Sequence, residues 1–161
     1  MQIRHTRPED MDVLLALYED ARRFMAQNGN PNQWVKGYPG RQQLEQDMAA
    51  GGSYVCIDED RIVGTFFFTV GEEPAYRRIE NGQWLNDRPY GVVHRITAAA
   101  GTRGVASFCL AWCFSQWRNI RIDTHRDNLP MQKALAKNGY QRCGIIHLAD
   151  GSERIAFQKE Q

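Results

Sequence analysis

The residues best suited to chemistry lie in the stretch "AAAGTRGVA", residues 98–106, between a strand-like run and a helix-like run. Gly101 and Gly104 leave the backbone bare, and Arg103 places a cation between them. A helix N-terminus exposes unpaired N–H groups and the positive end of the helix dipole. Glycine lets an anion approach those groups without a Cβ in the way. The pattern predicts a phosphate or diphosphate site built mostly from backbone, although a strand-to-helix turn alone also explains the two glycines.

Two common phosphate-binding loops do not fit this stretch. The segment "GTRGVAS" lacks the Lys-Ser/Thr pair that follows the last glycine of a P-loop. Gly101 and Gly104 are three residues apart, which differs from the G-x-G-x-x-G spacing of a dinucleotide-binding loop. A nucleotide-binding protein of another fold is therefore disfavoured.

The N-terminal third of the chain predicts a strand and then two helices. Apolar residues recur at three-to-four spacing from Val13 to Met25, which predicts an amphipathic helix. Thr6 stands before it as a candidate N-cap, with Glu9 three residues later, as in a capping box. The short run "RQQLEQDMAA" predicts a second helix that ends at a Gly-Gly pair.

The rest of the chain alternates between strand and helix patterns. Two β-rich runs on either side of "DED" predict a hairpin. Residues 71–89 lack periodicity but are too apolar for a linker, so we expect an ordered excursion that helps to wall a site. Asn128 and Gly139 predict the start and end of the last helix. The order β-α-α-β-β-β-α-β-α-β-β predicts an α/β protein with a mixed sheet and helices on its faces.

Composition limits the function classes. The 161 residues suit a single domain, 1–161, and a net charge of +1 gives no general case for binding nucleic acid or an anionic membrane. The polar N-terminus predicts no signal peptide, and no apolar run is long enough to span a membrane. Cys109 and Cys113 fit buried free thiols on a helix, the four histidines are too scattered to predict a metal site, and we expect a cytoplasmic protein.

One long segment carries a family resemblance. The run "YGVVHRITAAAGTRGVASFCLAWCF", followed by "IRIDTHRDNLPMQKALAKNGYQRCGII", resembles the Gcn5-related N-acetyltransferase (GNAT) family. The specific match extends from Tyr90 to Gly144, about a third of the chain, and residues 103–106 match the end of the family's diphosphate loop. Gly101 stands where the family usually has Arg or Gln. The resemblance implies an acyl-CoA N-acyltransferase-like fold, with a mostly antiparallel central sheet of about seven strands flanked by helices.

The resemblance also implies an activity and a co-substrate. The chain would move an acetyl group from acetyl-CoA to a primary amine of a small molecule or a peptide or protein N-terminus. The family pattern places acyl and pantetheine contacts at Arg95, Ile96, Thr97 and Ala98, and diphosphate contacts at Thr102, Arg103, Gly104, Val105 and Ala106. Asn128 falls where the family often contacts the cofactor, and a purely structural N-cap explains it equally well.

The acid and base are less defined. Many family members have a tyrosine seven residues after that asparagine as general acid, but this position is Leu135 here, so no acid can act from it. His94 is our candidate general base because it lies on the strand at the acetyl end and imidazole titrates near neutral pH. The alternative, a histidine satisfied beside the core or lining the substrate pocket, stays open.

The acceptor pocket is the least specified part. Five residues are candidates for its wall: Trp34, Tyr38, Glu80, Trp84 and Tyr90. The "FFF" run at 66–68 fits core or a paired interface better than a stacking platform, and together with the edge strands it permits a homodimer. A non-catalytic acyl-CoA-binding regulatory module of the same fold remains the alternative function, because Leu135 and Gly101 both allow it.

Overall fold

The computed structural model describes all residues, 1–161, and its elements follow the predicted order. The strands are β1 (Gln2–His5), β2 (Ser53–Asp58), β3 (Arg61–Val70), β4 (Gly91–Ala98), β5 (Asn119–Thr124), β6 (Gln141–His147) and β7 (Glu153–Glu160). The α-helices are α1 (Met11–Gln27), α2 (Arg41–Ala49), α3 (Val105–Gln116) and α4 (Leu129–Lys137). Two short 3₁₀ turns, Pro8–Asp10 and Pro74–Tyr76, complete the regular structure.

All seven strands form one sheet in the order β1-β2-β3-β4-β5-β7-β6. Every neighbouring pair is antiparallel except β4 and β5, which are parallel. This parallel pair has only two partner positions, Gly91 with Ile120 and Val92 with Arg121. The two strands therefore separate after their first residues and open the centre of the sheet. The predicted mixed, mostly antiparallel sheet is confirmed.

A bulge in β4 lies next to this opening. Phe67 pairs with His94 and Thr65 pairs with Thr97, so β4 has one residue more than β3 between these two pairs. Arg95 lies in this bulge and adopts left-handed backbone, with φ of 53°. The Tyr18 hydroxyl on α1 donates to the Arg95 carbonyl at 2.6 Å and so fixes the bulge from the next layer.

Alternating strand residues pack against helices on both faces of the sheet. On one face, α3 and α4 cover the largest buried cluster, which includes Val93, Ile122 and Ile155. On the other face, α1 and α2 cover a second cluster around Leu14 and Val55. Residues 71–90 cover the rest of that face, so the prediction of an ordered excursion is confirmed. Side chains at adjacent strand positions, such as 92 and 93, thus pack on opposite faces of the sheet.

Helix ends follow the sequence signals in α4 but not in α1. The Asn128 side chain accepts from the Met131 N–H at 3.1 Å, and Gly139 ends the helix with φ of 86°, both as predicted. The prediction of Thr6 as an N-cap is wrong, because its hydroxyl pairs with Ser53 across the sheet. Asp10 closes the turn instead by accepting from the Arg7 N–H at 2.8 Å.

The remaining structural expectations concern cysteines and membranes. All four cysteines are free and buried, as expected for Cys109 and Cys113, and burial raises the pKa of both helix thiols. None of the helices has the length and apolarity that a bilayer crossing requires. No group of three or more His, Cys, Asp or Glu side chains is arranged to hold a metal ion.

Candidate functional site

A cavity of about 790 Å³ lies where β4 and β5 separate. Its walls come from the α1–α2 segment, α2, β4, β5, the start of α4 and the β6–β7 loop. Val93 and Thr124 face the α3–α4 layer, whereas His94 and Asp123 face the opposite layer. Because residues of both faces line it, the cavity connects the two sides of the sheet.

His94 lies in this cavity next to a carboxylate. Its Nε2 is 3.8 Å from Oε2 of Glu73, a distance that suits an ion pair and exceeds a hydrogen bond. The imidazole stacks near Phe67, with ring centroids 6.2 Å apart, and its side chain is 23% exposed. The interaction with His94 lowers the pKa of Glu73, which favours an ionised carboxylate there. A partly exposed imidazole beside a carboxylate can accept and pass on a proton.

Asp123 is a second titratable group in the cavity. The Tyr76 hydroxyl donates to its Oδ2 at 2.6 Å, and burial raises the pKa of the carboxyl group. Asp123 was not a candidate in the sequence, where it appears only as the polar member of the alternating strand "IRIDTH". A buried carboxyl group with a raised pKa, facing a cavity, is a recognised feature of functional sites.

The bulge residue Arg95 is held by a buried ion pair. Its Nε and Nη2 donate to the two carboxylate oxygens of Asp47 at 2.8 and 2.7 Å, and Nη1 donates to the Tyr38 hydroxyl at 3.0 Å. The Arg95 and Asp47 side chains are 11% and 6% exposed. All three guanidinium nitrogens thus donate to protein groups, which holds the side chain on the α2 side of the strand. This pair ties α2 to β4 at the wall of the cavity.

The N-terminus of α3 presents a row of free amides. The N–H groups of residues 103–107 have no acceptor within the chain, and Phe108 is the first to pair, with the Gly104 carbonyl. Gly101 and Gly104 have φ of 77° and 72°, and a Cβ on either would meet open space. The first turn contains no acidic residue, and the exposed Arg103 has no ion-pair partner. Such a row of amides next to a free cation fits a multiply charged anion.

Solved structures reveal what this arrangement resembles. No protein-family model matches the sequence, and no curated protein matches it. The structure of a GNAT-family acetyltransferase from Streptococcus agalactiae is 34% identical to this chain, with a TM-score of 0.92, over 99% of this chain and 95% of that one. The chain belongs to the GNAT family. The resemblance inferred from residues 90–144 is thereby confirmed.

Two further structures share the GNAT fold at lower identity. One is a putative acetyltransferase from Staphylococcus aureus, 23% identical, with a TM-score of 0.73 over 99% of both chains. The other is the GphF GNAT-like decarboxylase in complex with isobutyryl-CoA, 17% identical, with a TM-score of 0.69 over 99% of both chains. The family assignment places this GNAT protein in acyl-CoA-dependent acyl transfer in general.

The structure brings some of the sequence candidates together at one cavity. The candidates that line it are His94, Arg95, Ile96, Asn128, Trp34 and Tyr38. Trp34 packs edge-on against Tyr18, with centroids 5.5 Å apart, and Asn128 Nδ2 donates to Oε1 of Gln33 at 2.8 Å. Asn128 therefore both caps α4 and links it to the α1–α2 segment, so the structural account of this residue holds.

A second group of candidates lies along the path from the cavity to α3. Thr97 and Ala98 continue β4 beyond the bulge, and the loop then leads to Gly104. Thr102 donates its hydroxyl proton to the Ala99 carbonyl at 2.6 Å, so this group has no proton left for an anion. The Val105 side chain is buried against Gly64 in the sheet, and its N–H has no acceptor within the chain.

Three acceptor-pocket candidates lie outside the cavity. Trp84 and Tyr90 sandwich the buried Arg121 guanidinium, at 4.3 and 4.0 Å from their ring centroids. Glu80 pairs through its backbone with Ile145 on β6. Cation–π contact and strand pairing place these three residues in the adjoining layer rather than in the wall of this cavity. Glu73, from the same excursion, lines the cavity instead.

Thr124 is a polar cavity residue that the sequence did not indicate. Its side chain is fully buried and its hydroxyl has no hydrogen-bond partner. It faces the α3–α4 layer, the same face as Leu135, which is fully buried in the main core and cannot act as an acid. A buried hydroxyl without a partner is costly, so Thr124 is suited to a polar ligand group that enters the opening.

Charge reversal at Arg103 tests the anion site. We expect Arg103→Glu to weaken acetyl-CoA binding about 10-fold or more, because an anion beside the α3 amides repels phosphate. Isothermal titration measures the change. Arg118→Glu, an equal charge change on an exposed residue just beyond the other end of α3, should stay within about 2-fold. Equal losses in the two variants would indicate a general charge effect and no anion site at this loop.

Proposed function

We propose that this GNAT protein is an acetyl-CoA-dependent N-acetyltransferase, formed by residues 1–161 as one domain. Its acceptor is a primary amine of a small molecule or of a peptide or protein N-terminus. The observation that carries the proposal is the row of unpaired amides at 103–107, joined by β4 to a cavity that contains His94 and Glu73. Four free, buried cysteines support a reducing, cytoplasmic location.

The chain offers acetyl-CoA two sets of contacts. The amides of residues 103–106 and the Arg103 side chain would hold the diphosphate, as the open space above Gly101 and Gly104 allows. The main chain from Arg95 to Ala98 would pair with the pantetheine amides, because β5 leaves this edge after Val92. The complex of a structural neighbour with isobutyryl-CoA supports an acyl-CoA in a fold of this kind.

Acetyl-CoA supplies a thioester carbonyl, and the residues of the chain prepare the amine. An ammonium group loses one proton to the His94 imidazole and then attacks as a neutral amine. The C–N bond forms by addition to the thioester carbonyl, the tetrahedral intermediate then expels the CoA thiolate as the C–S bond breaks, and the second proton on the nitrogen passes to water. A backbone N–H at the β4 bulge would donate a hydrogen bond to the thioester oxygen and so polarise the carbonyl, as in an oxyanion hole. The Glu73 carboxylate stabilises the imidazolium that results.

The leaving thiolate needs little help from an acid. A free thiol has a pKa of about 8.5, so the thiolate is a competent leaving group near neutral pH. Leu135 contributes no proton, and Thr124 is our candidate to meet the sulfur because its hydroxyl lines the cavity without a partner. Thr124 would donate a hydrogen bond to the sulfur rather than transfer a proton.

Ligand-dependent melting is the first test of the proposal. Acetyl-CoA at about 100 times its Kd should stabilise the fold by about 2.7 kcal/mol, whereas ATP and NAD at equal concentration should not. A domain of this size gains about 2–4 °C in Tm per kcal/mol, so we expect a shift of about 5–10 °C. Failure of acetyl-CoA to shift Tm would contradict the proposed co-substrate.

Thiol release across a panel of primary amines then separates enzyme from binding module. An acetyltransferase releases CoA only when an acceptor is present, and the matching N-acetylated product appears by mass spectrometry. Binding of acetyl-CoA without product from any amine would favour the regulatory alternative. The two measurements together therefore decide between the functions that this fold allows.

A further inference from the structure

Arg154 is a buried cation on the cavity wall that has no anionic partner. The residue is 7% exposed and lines the same cavity as His94 and Asp123. Its Nη1 donates to the Glu153 carbonyl at 2.8 Å and its Nη2 to the Gln33 carbonyl at 3.2 Å. No carboxylate oxygen lies within 4.0 Å of its guanidinium. Burying a charge in this way is costly unless an anion completes the site.

The carboxylates around the cavity are already engaged. Asp47 pairs with Arg95, and Glu73 pairs with His94. Asp123 accepts from Tyr76, and burial raises the pKa of its carboxyl group. Asp150 accepts from the backbone N–H of Ser152. None of these carboxylates forms an ion pair with Arg154, so its guanidinium is open to an anion from outside the chain.

The face on which Arg154 lies separates it from the proposed diphosphate site. Ile155 pairs with Thr124 and packs in the α3–α4 layer, whereas Ala156 pairs with Asp123 and packs beside Tyr76 in the opposite layer. Arg154 lies two residues before Ala156 on β7, so the two side chains point to the same face of the sheet. This is the face of Asp123 and His94. The α3 amides, which suit the diphosphate, belong to the other layer.

We propose that the acceptor is a small amine that also carries a carboxylate, or a similar oxyanion, and that Arg154 binds this group. The inference rests on the proposed acetyl transfer and narrows the acceptor to a free amino acid or a close relative. In this arrangement the amine points to His94 and Glu73, and the anion lies on the β7 side of the cavity. The apolar side chains of Trp34, Phe67 and Leu148 leave room for an apolar substituent.

Matched acceptors test the charge preference directly. The probes are alanine, methionine and phenylalanine, each as the free acid, the primary amide and the decarboxylated amine, together with γ-aminobutyrate against butylamine. We expect kcat/KM for the preferred acid to exceed that of both neutral forms by about 30-fold, since hydrogen bonds to a charged group are strong. The amide is less basic and the amine more basic than the acid, so amine basicity alone cannot produce this order.

Variants of Arg154 assign the preference to one side chain. Arg154→Gln should reduce kcat/KM for the acid about 30-fold and change the neutral forms by less than 3-fold, while Arg154→Lys keeps part of the preference. Arg142→Gln is the matched control, because Arg142 and Arg154 line a neighbouring cavity of about 480 Å³. If Arg142→Gln abolished the preference equally, the anion would belong in that second cavity and the proposal would be overturned.

A binding measurement keeps the test independent of turnover. Titration of each probe into the protein with CoA present should show the same preference for the acid and the same loss in Arg154→Gln. If no amine causes thiol release but the acid is still bound preferentially, the proposed acetyl transfer is refuted and carboxylate recognition by Arg154 is retained. Equal binding of acids and amides to the wild-type protein overturns the inference, even if Arg154→Gln does not fold.

Discussion

Replacement of His94 by alanine should lower kcat about 100-fold at neutral pH while the Kd for acetyl-CoA changes by less than 2-fold. Loss of a positioned general base typically removes two or more orders of magnitude in rate. His94 faces the layer of Glu73 and Tyr76, away from the α3 amides, so the cofactor contacts stay intact. Steady-state thiol release with the preferred amine and isothermal titration of acetyl-CoA measure the two quantities.

A second histidine provides the control for that experiment. His147 at the end of β6 also pairs with a carboxylate, its Nε2 lying 3.6 Å from Glu153, but it does not line the cavity. His147→Ala should retain kcat within about 2-fold, as surface changes usually have small effects. If His94→Ala retains activity with the true acceptor, His94 lines the pocket without acting as base, and Asp123 becomes the group to test next.

The sequence predicted those features whose cause is local. Strand and helix order follows from hydrophobic periodicity, and Asn128 and Gly139 end their helix through contacts within a few residues. The left-handed backbone at Gly101 and Gly104 is likewise a local feature, and the proposed anion site is based on it. Thr6 failed as a cap because Ser53, far along the chain, binds its hydroxyl.

The missed residues reach the cavity through long-range pairing. Asp123 and Arg154 share a face only because β7 pairs with β5 in one register, with Ala156 opposite Asp123. A shift of β7 by one residue would turn the Arg154 side chain to the other layer, away from Asp123. Glu73 comes from a segment without periodicity, so no local pattern announces its position. Such residues become visible only when the register of the sheet is known.

Packing roles of aromatic residues are hard to recognise in a sequence. Trp84 and Tyr90 are rich in contact surface, and in the sequence nothing distinguishes a pocket wall from a packing role. The structure shows that Arg121 on β5, only 6% exposed and without a carboxylate partner, draws both rings around its guanidinium. Arg121 also donates to the Asn86 carbonyl at 2.8 Å. A buried cation thus organises the excursion that the sequence could only describe as ordered.

Replacement of Asp47 by asparagine should destabilise the protein by about 3 kcal/mol, since removal of one partner leaves a buried charge uncompensated. Asp47 is buried, the Arg95 side chain is 11% exposed, and two hydrogen bonds join them. The left-handed backbone of Arg95 costs about 1–2 kcal/mol by itself. In a domain of this size the loss lowers Tm by about 6–12 °C, measurable by calorimetry. The β4 bulge should loosen as well, so acetyl-CoA affinity falls with stability.

Two comparisons isolate the buried pair as the cause. Asp12→Asn removes the same charge from an exposed pair, 3.6 Å from Arg41, and should lower Tm by less than about 2 °C. The double variant Asp47→Asn/Arg95→Gln removes the orphaned charge and should recover part of the loss, a coupling of about 1 kcal/mol or more. If Asp47→Asn melted like Asp12→Asn, the ion pair would not be what anchors α2 to β4, and the geometry of the bulge would depend on the Tyr18 hydrogen bond alone.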